Sequence, residues 1–205
     1  MRRGWSVREW VLVGLFGALW GAAEMTLGSV LHLVFPPLTD PVFVGLIMAA
    51  VGCLLALCGR IFVPRRGSVL LIGLITAVLK AFSLGGVKVG PILGILAESA
   101  LMELGLFVLP EASYGAYALA GSLAVSWNFF HRFVMMGLLY GNDVLEVGLK
   151  MAEDGARLLG MRQEIVLAIL GLLLALRLAV GAAAGLLARS VGLQIRGRVG
   201  SGAAA

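Results

Sequence analysis

Glu24, Lys80, Glu98, His131, Arg132 and Arg177 are ionisable residues set inside long apolar runs, and Glu103 and Asn128 share that setting. An ionised side chain at the centre of a bilayer costs at least ~2.5 kcal/mol, so such groups face protein or a wet cavity and mark routes for substrates or ions. Acids and bases at matched depth on different helices can pair and enclose a polar chamber. Trp20, one turn before Glu24, and Trp127, one turn before His131, would give that chamber flat walls. The chemistry this suggests is ion-paired capture of a small polar molecule, with a proton relay through Glu24, Glu98 and Glu103 as the rival. Other chemistries lack their parts. His32 and His131 are the two histidines and show no zinc-ligand spacing, and neither a Walker A sequence nor a GxSxG serine context occurs. Cys53 and Cys58 are turned about 140° apart on a helix of 3.6 residues per turn, which suits small core residues better than a disulfide or metal site. No resident metal or cofactor is expected.

The elements that must hold these residues follow from composition. The 205 residues are 60% hydrophobic and 13% charged, too few charges to cover a soluble surface. Mean hydropathy is +1.03. An all-α, polytopic membrane bundle is expected, one integral membrane domain over residues 1–205. A hydrocarbon core roughly 30 Å thick needs about 20 apolar residues, and six spans meet or approach this: 10–35, 41–59, 68–84, 91–109, 115–140 and 163–188. Ser6 and Glu9 form a capping box that opens the first, too long to be a signal-peptide core; Pro36 and Pro37 close it. Asp40-Pro41 opens the second as N-cap and first helical residue. Between the last two spans, Asp143, Glu146 and Lys150, then Glu153 and Arg157, have the spacing of a short amphipathic helix over 143–159, able to lie across a mouth of the bundle. The terminal GSGAAA is expected to fray.

Loop charges orient the bundle. One side collects Arg2, Arg3, Arg8, Arg60, Arg65, Arg66, Arg189, Arg196 and Arg198, and the other holds Lys88, Lys150, Arg157 and Arg162. The positive-inside rule makes both termini cytoplasmic in a multi-pass cell-membrane protein. Counting along each span then sets Glu24, Lys80, Glu98, His131 and Arg132 in the outer half, Asn128 and Arg177 near the middle, and Glu103 toward the cytoplasm.

Small residues recur every fourth position in the first span, at Gly14, Ala18 and Ala22 and again at Gly17 and Gly21, each set forming one face where another helix can approach. With this motif, a small six-span chain with both termini inside resembles the substrate-binding S components of energy-coupling factor (ECF) transporters. The resemblance lies in architecture over most of the chain. It implies that one of these two faces docks a transmembrane coupling subunit, that paired ATPases drive the complex, and that a water-soluble vitamin or precursor is captured in the outer half. The implied binding set is Trp20, Glu24, Lys80, Glu98, Trp127, Asn128, His131, Arg132 and Arg177. Carboxylates with tryptophans suit a cationic heteroaromatic, whereas Lys80, Arg132 and Arg177 suit an anion. Two other readings stand beside it: a membrane-embedded hydrolase or lipid-modifying enzyme using Glu98 or Glu103 with His131, and a structural subunit whose charges only fix helices.

Overall fold

The Ser6–Glu9 box forms in the computed structural model. Glu9 Oε2 accepts the Ser6 backbone N–H at 2.7 Å, and Ser6 Oγ accepts the Glu9 N–H at 3.3 Å. It opens α1 (Val7–Val34), which is followed by α2 (Asp40–Phe62), α3 (Ser68–Ala81), α4 (Val89–Val108), α5 (Tyr114–Tyr140) and α6 (Gln163–Gly202). The structure describes residues 4–34, 40–82, 89–110, 113–140, 153, 160 and 162–202. Apart from Glu153, which is helical and exposed, the expected amphipathic segment 143–159 lies outside them. Among the described residues all regular structure is helical. Four helical stretches, Val7–Gly28, Phe43–Phe62, Val89–Val108 and Glu164–Arg198, are long and apolar enough to cross a membrane. Ser68–Ala81 is apolar but shorter.

Four boundaries differ from expectation by three residues or more: α1 starts at Val7 rather than 10, α3 ends at Ala81 rather than 84, and the second and last helices run on. The second helix runs past Arg60 to Phe62, because Arg60 is buried among partners rather than solvated in a loop. The last was expected to stop at 188 but continues to Gly202, giving 40 residues, about 60 Å at ~1.5 Å per residue and twice a bilayer's hydrocarbon core. No proline interrupts it, and contacts tether the extension. A Cβ on Gly192 would stand 2.4 Å from Ile61, and Arg196 Nη1 donates to the Ile61 carbonyl at 2.8 Å. Ser201 and Gly202, expected to fray, are helical; residues 203–205 lie outside the described set.

The helix α2 is the axis of the bundle. It touches all the others, while α1, α3, α4, α5 and α6 follow one another around it as an arc whose ends do not meet among the described residues. Its apolar stretch is 67% buried, against 33% or less for the other candidate spans. Paired contacts give the directions. Gly17 and Gly21 of α1 meet Ile75 and Leu79 of α3, so these two helices run parallel. Gly52 and Gly59 of α2 meet Trp20 and Phe16 of α1, Gly73 of α3 meets Ser99 of α4, and Gly105 of α4 meets Ala120 of α5, all antiparallel. The closest approach joins α5 and α6. A Cβ on Gly121 would fall 2.0 Å from the Gly181 carbonyl oxygen, and one on Gly185 would fall 2.0 Å from that of Tyr117. Only glycine allows such backbone contact, which replaces the hydrophobic drive that helices lack in lipid. Ser122 Oγ adds a hydrogen bond to the Leu178 carbonyl at 2.9 Å. Leucines such as Leu15, Leu19, Leu74 and Leu172 point away from the bundle, giving it an apolar exterior.

Candidate functional site

At the end where α2 hands over to α3, the ionisable residues form a clasp. Arg60 is 4% exposed, and its Nη1 donates to Glu103 Oε1 at 3.2 Å, to Ser68 Oγ at 3.3 Å and to the Arg65 carbonyl. Helix α3 begins after Gly67, whose φ of 86° is left-handed, and it has no side-chain cap of its own. Glu103 supplies one from α4: its Oε1 accepts the Gly67 N–H at 2.6 Å and its Oε2 the Val69 N–H at 3.2 Å. A carboxylate there satisfies orphan donors and meets the positive end of the helix dipole. Arg65 Nε in turn donates to Glu9 Oε1 at 2.5 Å, and its guanidinium lies 5.7 Å from the Trp5 ring. Glu103 and Arg60 thus hold the α2–α3 turn and α4 together, and Arg65 ties the start of α1 to them.

Deeper in the bundle a second group assembles. The close α1–α3 contact is secured by Thr76 Oγ1, which donates to the Gly17 carbonyl at 3.0 Å. One turn further along, Lys80 Nζ lies 3.4 Å from Glu24 Oε2 and donates to the Glu24 backbone carbonyl at 3.0 Å. Glu98 of α4 is 7% exposed. No hydrogen bond or ion pair from the described residues reaches its carboxyl, whose charged neighbour is Glu24. It also lies within electrostatic reach of Cys53 on α2. Trp20 is fully buried with its ring edge against Gly52, and its Nε1 has no hydrogen-bond acceptor. Four helices therefore contribute to this group.

Residues of α5 extend this place toward the start of α4. The Asn128 amide packs on Gly45 of α2, and His131 faces Gly90 and Gly94 of α4, where an added Cβ would stand 3.7 and 3.9 Å from the imidazole, at van der Waals distance. Trp127 and His131 meet edge to face with centroids 6.0 Å apart, and Trp127 Nε1 and His131 Nδ1 are both buried without partners. Gly94 and Glu98 are four residues apart on α4, a rise of about 6 Å. The imidazole thus stands one turn from the unpaired carboxyl.

Other expected members lie elsewhere. Arg177 is 3% exposed, but its guanidinium is set 5.6 Å from the Phe129 ring and donates to the Leu173 carbonyl at 3.4 Å. Its helix touches α2 and α5 and none of the helices bearing Glu24, Lys80 or Glu98. The side chain of Arg132 lies outside the described residues, as does that of His32. Glu103 is nine residues beyond Gly94, about 13 Å along α4, so it cannot work in concert with His131. Cys53 and Cys58 are free thiols, and Cys58 Sγ donates to the Ala188 carbonyl at 3.3 Å. Among the described residues no three His, Cys, Asp or Glu side chains gather to hold a metal.

The two small-residue faces of α1 part company. Gly17 and Gly21 are buried against α3, whereas Ala18 and Ala22 are exposed beside Val11, Leu15 and Leu19, and a Cβ on Gly14 would meet nothing within 4 Å. Sequence reading passed over Arg60 as a binding partner and Gly181/Gly185 as a packing face. The latter carried a signal, since GAAAG has the same four-residue spacing used to single out α1.

Compared with protein-family models, with curated proteins and with solved structures, the chain matches none.

Proposed function

We propose that this chain is the substrate-binding subunit of an ECF-type uptake transporter, with six spans, both termini cytoplasmic and a cell-membrane location. The observation that carries the reading is the convergence of Glu24, Lys80 and Glu98 with Trp20, Trp127 and His131, three of whose ring nitrogens are buried without partners. Purely structural charges pair off, as Arg60 and Glu103 do. Here donors and a carboxyl are left over, as expected of a site that completes itself with a ligand. Under the positive-inside orientation this place is in the outer half, where a water-soluble vitamin or precursor arrives. The exposed face of Gly14, Ala18 and Ala22 is then the docking face for the coupling subunit, because Gly17 and Gly21 are occupied by α3. Paired ATPases supply the energy, and reorientation of the bundle against the coupling subunit delivers the substrate inside.

The test is co-expression with the coupling subunit and ATPases of the same cell. The chain should co-purify with them, and Glu24→Gln and Glu98→Gln should weaken substrate retention without preventing membrane insertion. Failure to associate, or normal retention in both variants, would sink the proposal.

A further inference from the structure

We propose that the substrate carries a single positive charge, seated against Glu98, with a hydrogen-bond acceptor at the indole N–H of Trp127. The inference rests on the capture reading above. Its first support is the balance of charge among the described side chains at this place. Helix α1 brings Glu24, α3 brings Lys80 and α4 brings Glu98, so one cation faces two carboxyls, and Lys80 already binds Glu24 through side chain and backbone. Glu98 is left over, 7% exposed, with a second carboxyl rather than a cation as its charged neighbour. Among the described side chains the other groups facing it do not change the sum: Cys53 of α2 is a fully buried thiol, and His131 of α5 is about 6 Å further along α4. Arg177, which would favour an anion, is turned to Phe129, on a helix that touches α2 and α5 and not the helices of Glu24, Lys80 or Glu98.

The second support is independent of charge. An indole N–H only donates. That of Trp127 is buried and has nothing to donate to, so the ligand must present an acceptor as well as a cation. The ring pair of Trp127 and His131, 6.0 Å apart, adds aromatic faces on which a flat nitrogen cation is attracted. Together these describe a heteroaromatic monocation that also bears a hydroxyl, carbonyl or ring-nitrogen acceptor.

The test uses two probes on the full chain purified into lipid nanodiscs: thiamine, a heteroaromatic monocation, and pantothenate, an anion of comparable size. Thermal unfolding is followed during titration with each, and small molecules released by denaturing the untreated protein are identified by mass spectrometry. Thiamine is expected to raise the midpoint saturably, with at least a tenfold higher concentration needed for Glu98→Gln and partial recovery in Glu98→Asp; pantothenate is expected to do nothing. Stabilisation by pantothenate alone, or an unchanged thiamine response in Glu98→Gln, would overturn the charge assignment and leave the capture reading intact. If neither probe acts, a released cation supports the assignment and a released anion or neutral molecule overturns it. No response and no released molecule would remove both readings.

Discussion

Replacing Glu103 by alanine should loosen the bundle at the clasp, and the structure sets the size of the effect. The substitution leaves Arg60, 4% exposed, without its carboxylate, and strips the acceptors from the Gly67 and Val69 N–H groups. Breaking a buried ion pair by deleting one partner costs about 3–5 kcal/mol, because the surviving charge stays buried. Glu103 itself is 20% exposed, and water entering the gap will hydrate part of Arg60, so about 3 kcal/mol is the expected loss. Glu103→Gln keeps one acceptor oxygen but not the charge, and should lose roughly 1.5–3 kcal/mol, the worth of a hydrogen bond to a charged group. Adding Arg60→Met to Glu103→Ala should recover part of the loss, since the orphaned charge is gone. Unfolding of the purified chain in mixed micelles by increasing mole fraction of dodecyl sulfate measures all three. A loss under about 1 kcal/mol in Glu103→Ala, the range of exposed surface pairs, would refute the clasp.

Lys80→Met should be strongly destabilising and Lys80→Met with Glu24→Gln much less so, a coupling of about 1–3 kcal/mol in the same unfolding assay; additive effects would dissolve the pair. Gly121→Ala places a methyl 2.0 Å from the Gly181 carbonyl oxygen and should cost about 1–3 kcal/mol by overpacking, whereas Gly14→Ala, with open space around it, should stay within about 0.5 kcal/mol of wild type. Ala18→Leu should leave folding and substrate retention unchanged and abolish recovery of the coupling subunit in a pull-down; Gly17→Leu should instead disrupt the α1–α3 contact and lower the unfolding midpoint. An intact complex with Ala18→Leu would move the docking face elsewhere.

What could be read from the chain was largely local or countable. The Ser6–Glu9 box and the Asp40-Pro41 start involve neighbours in sequence, and the matched depth of Glu24 and Lys80 follows from residue counts along two helices. Glu103 is different: its cap crosses 36 residues to Gly67, and nothing local distinguishes a capping carboxylate from a pore-lining one. Arg60 misled for a related reason, since a basic residue at the end of an apolar run reads the same whether solvated or clasped from another helix. In α1 the two small-residue faces share one spacing, and only the position of α3 decides which is consumed. Arg177 was assigned by depth alone; the arc around α2 sets its helix away from those of the carboxyls. The overlong α6 was invisible because Arg189 signals a membrane boundary, not a helix end.

The most direct measurement asks whether Glu98 lines a wet chamber open to one side. In a chain whose Cys53 and Cys58 have been replaced by alanine, Glu98→Cys is exposed in intact cells to a membrane-impermeant, positively charged methanethiosulfonate reagent. The account predicts labelling from outside, with protection by the co-purifying substrate, and no labelling of Cys58 restored alone, which is buried against Ala188. A cysteine at 98 that stays unreactive from outside, or reacts only when the cytoplasmic face is opened, would contradict it.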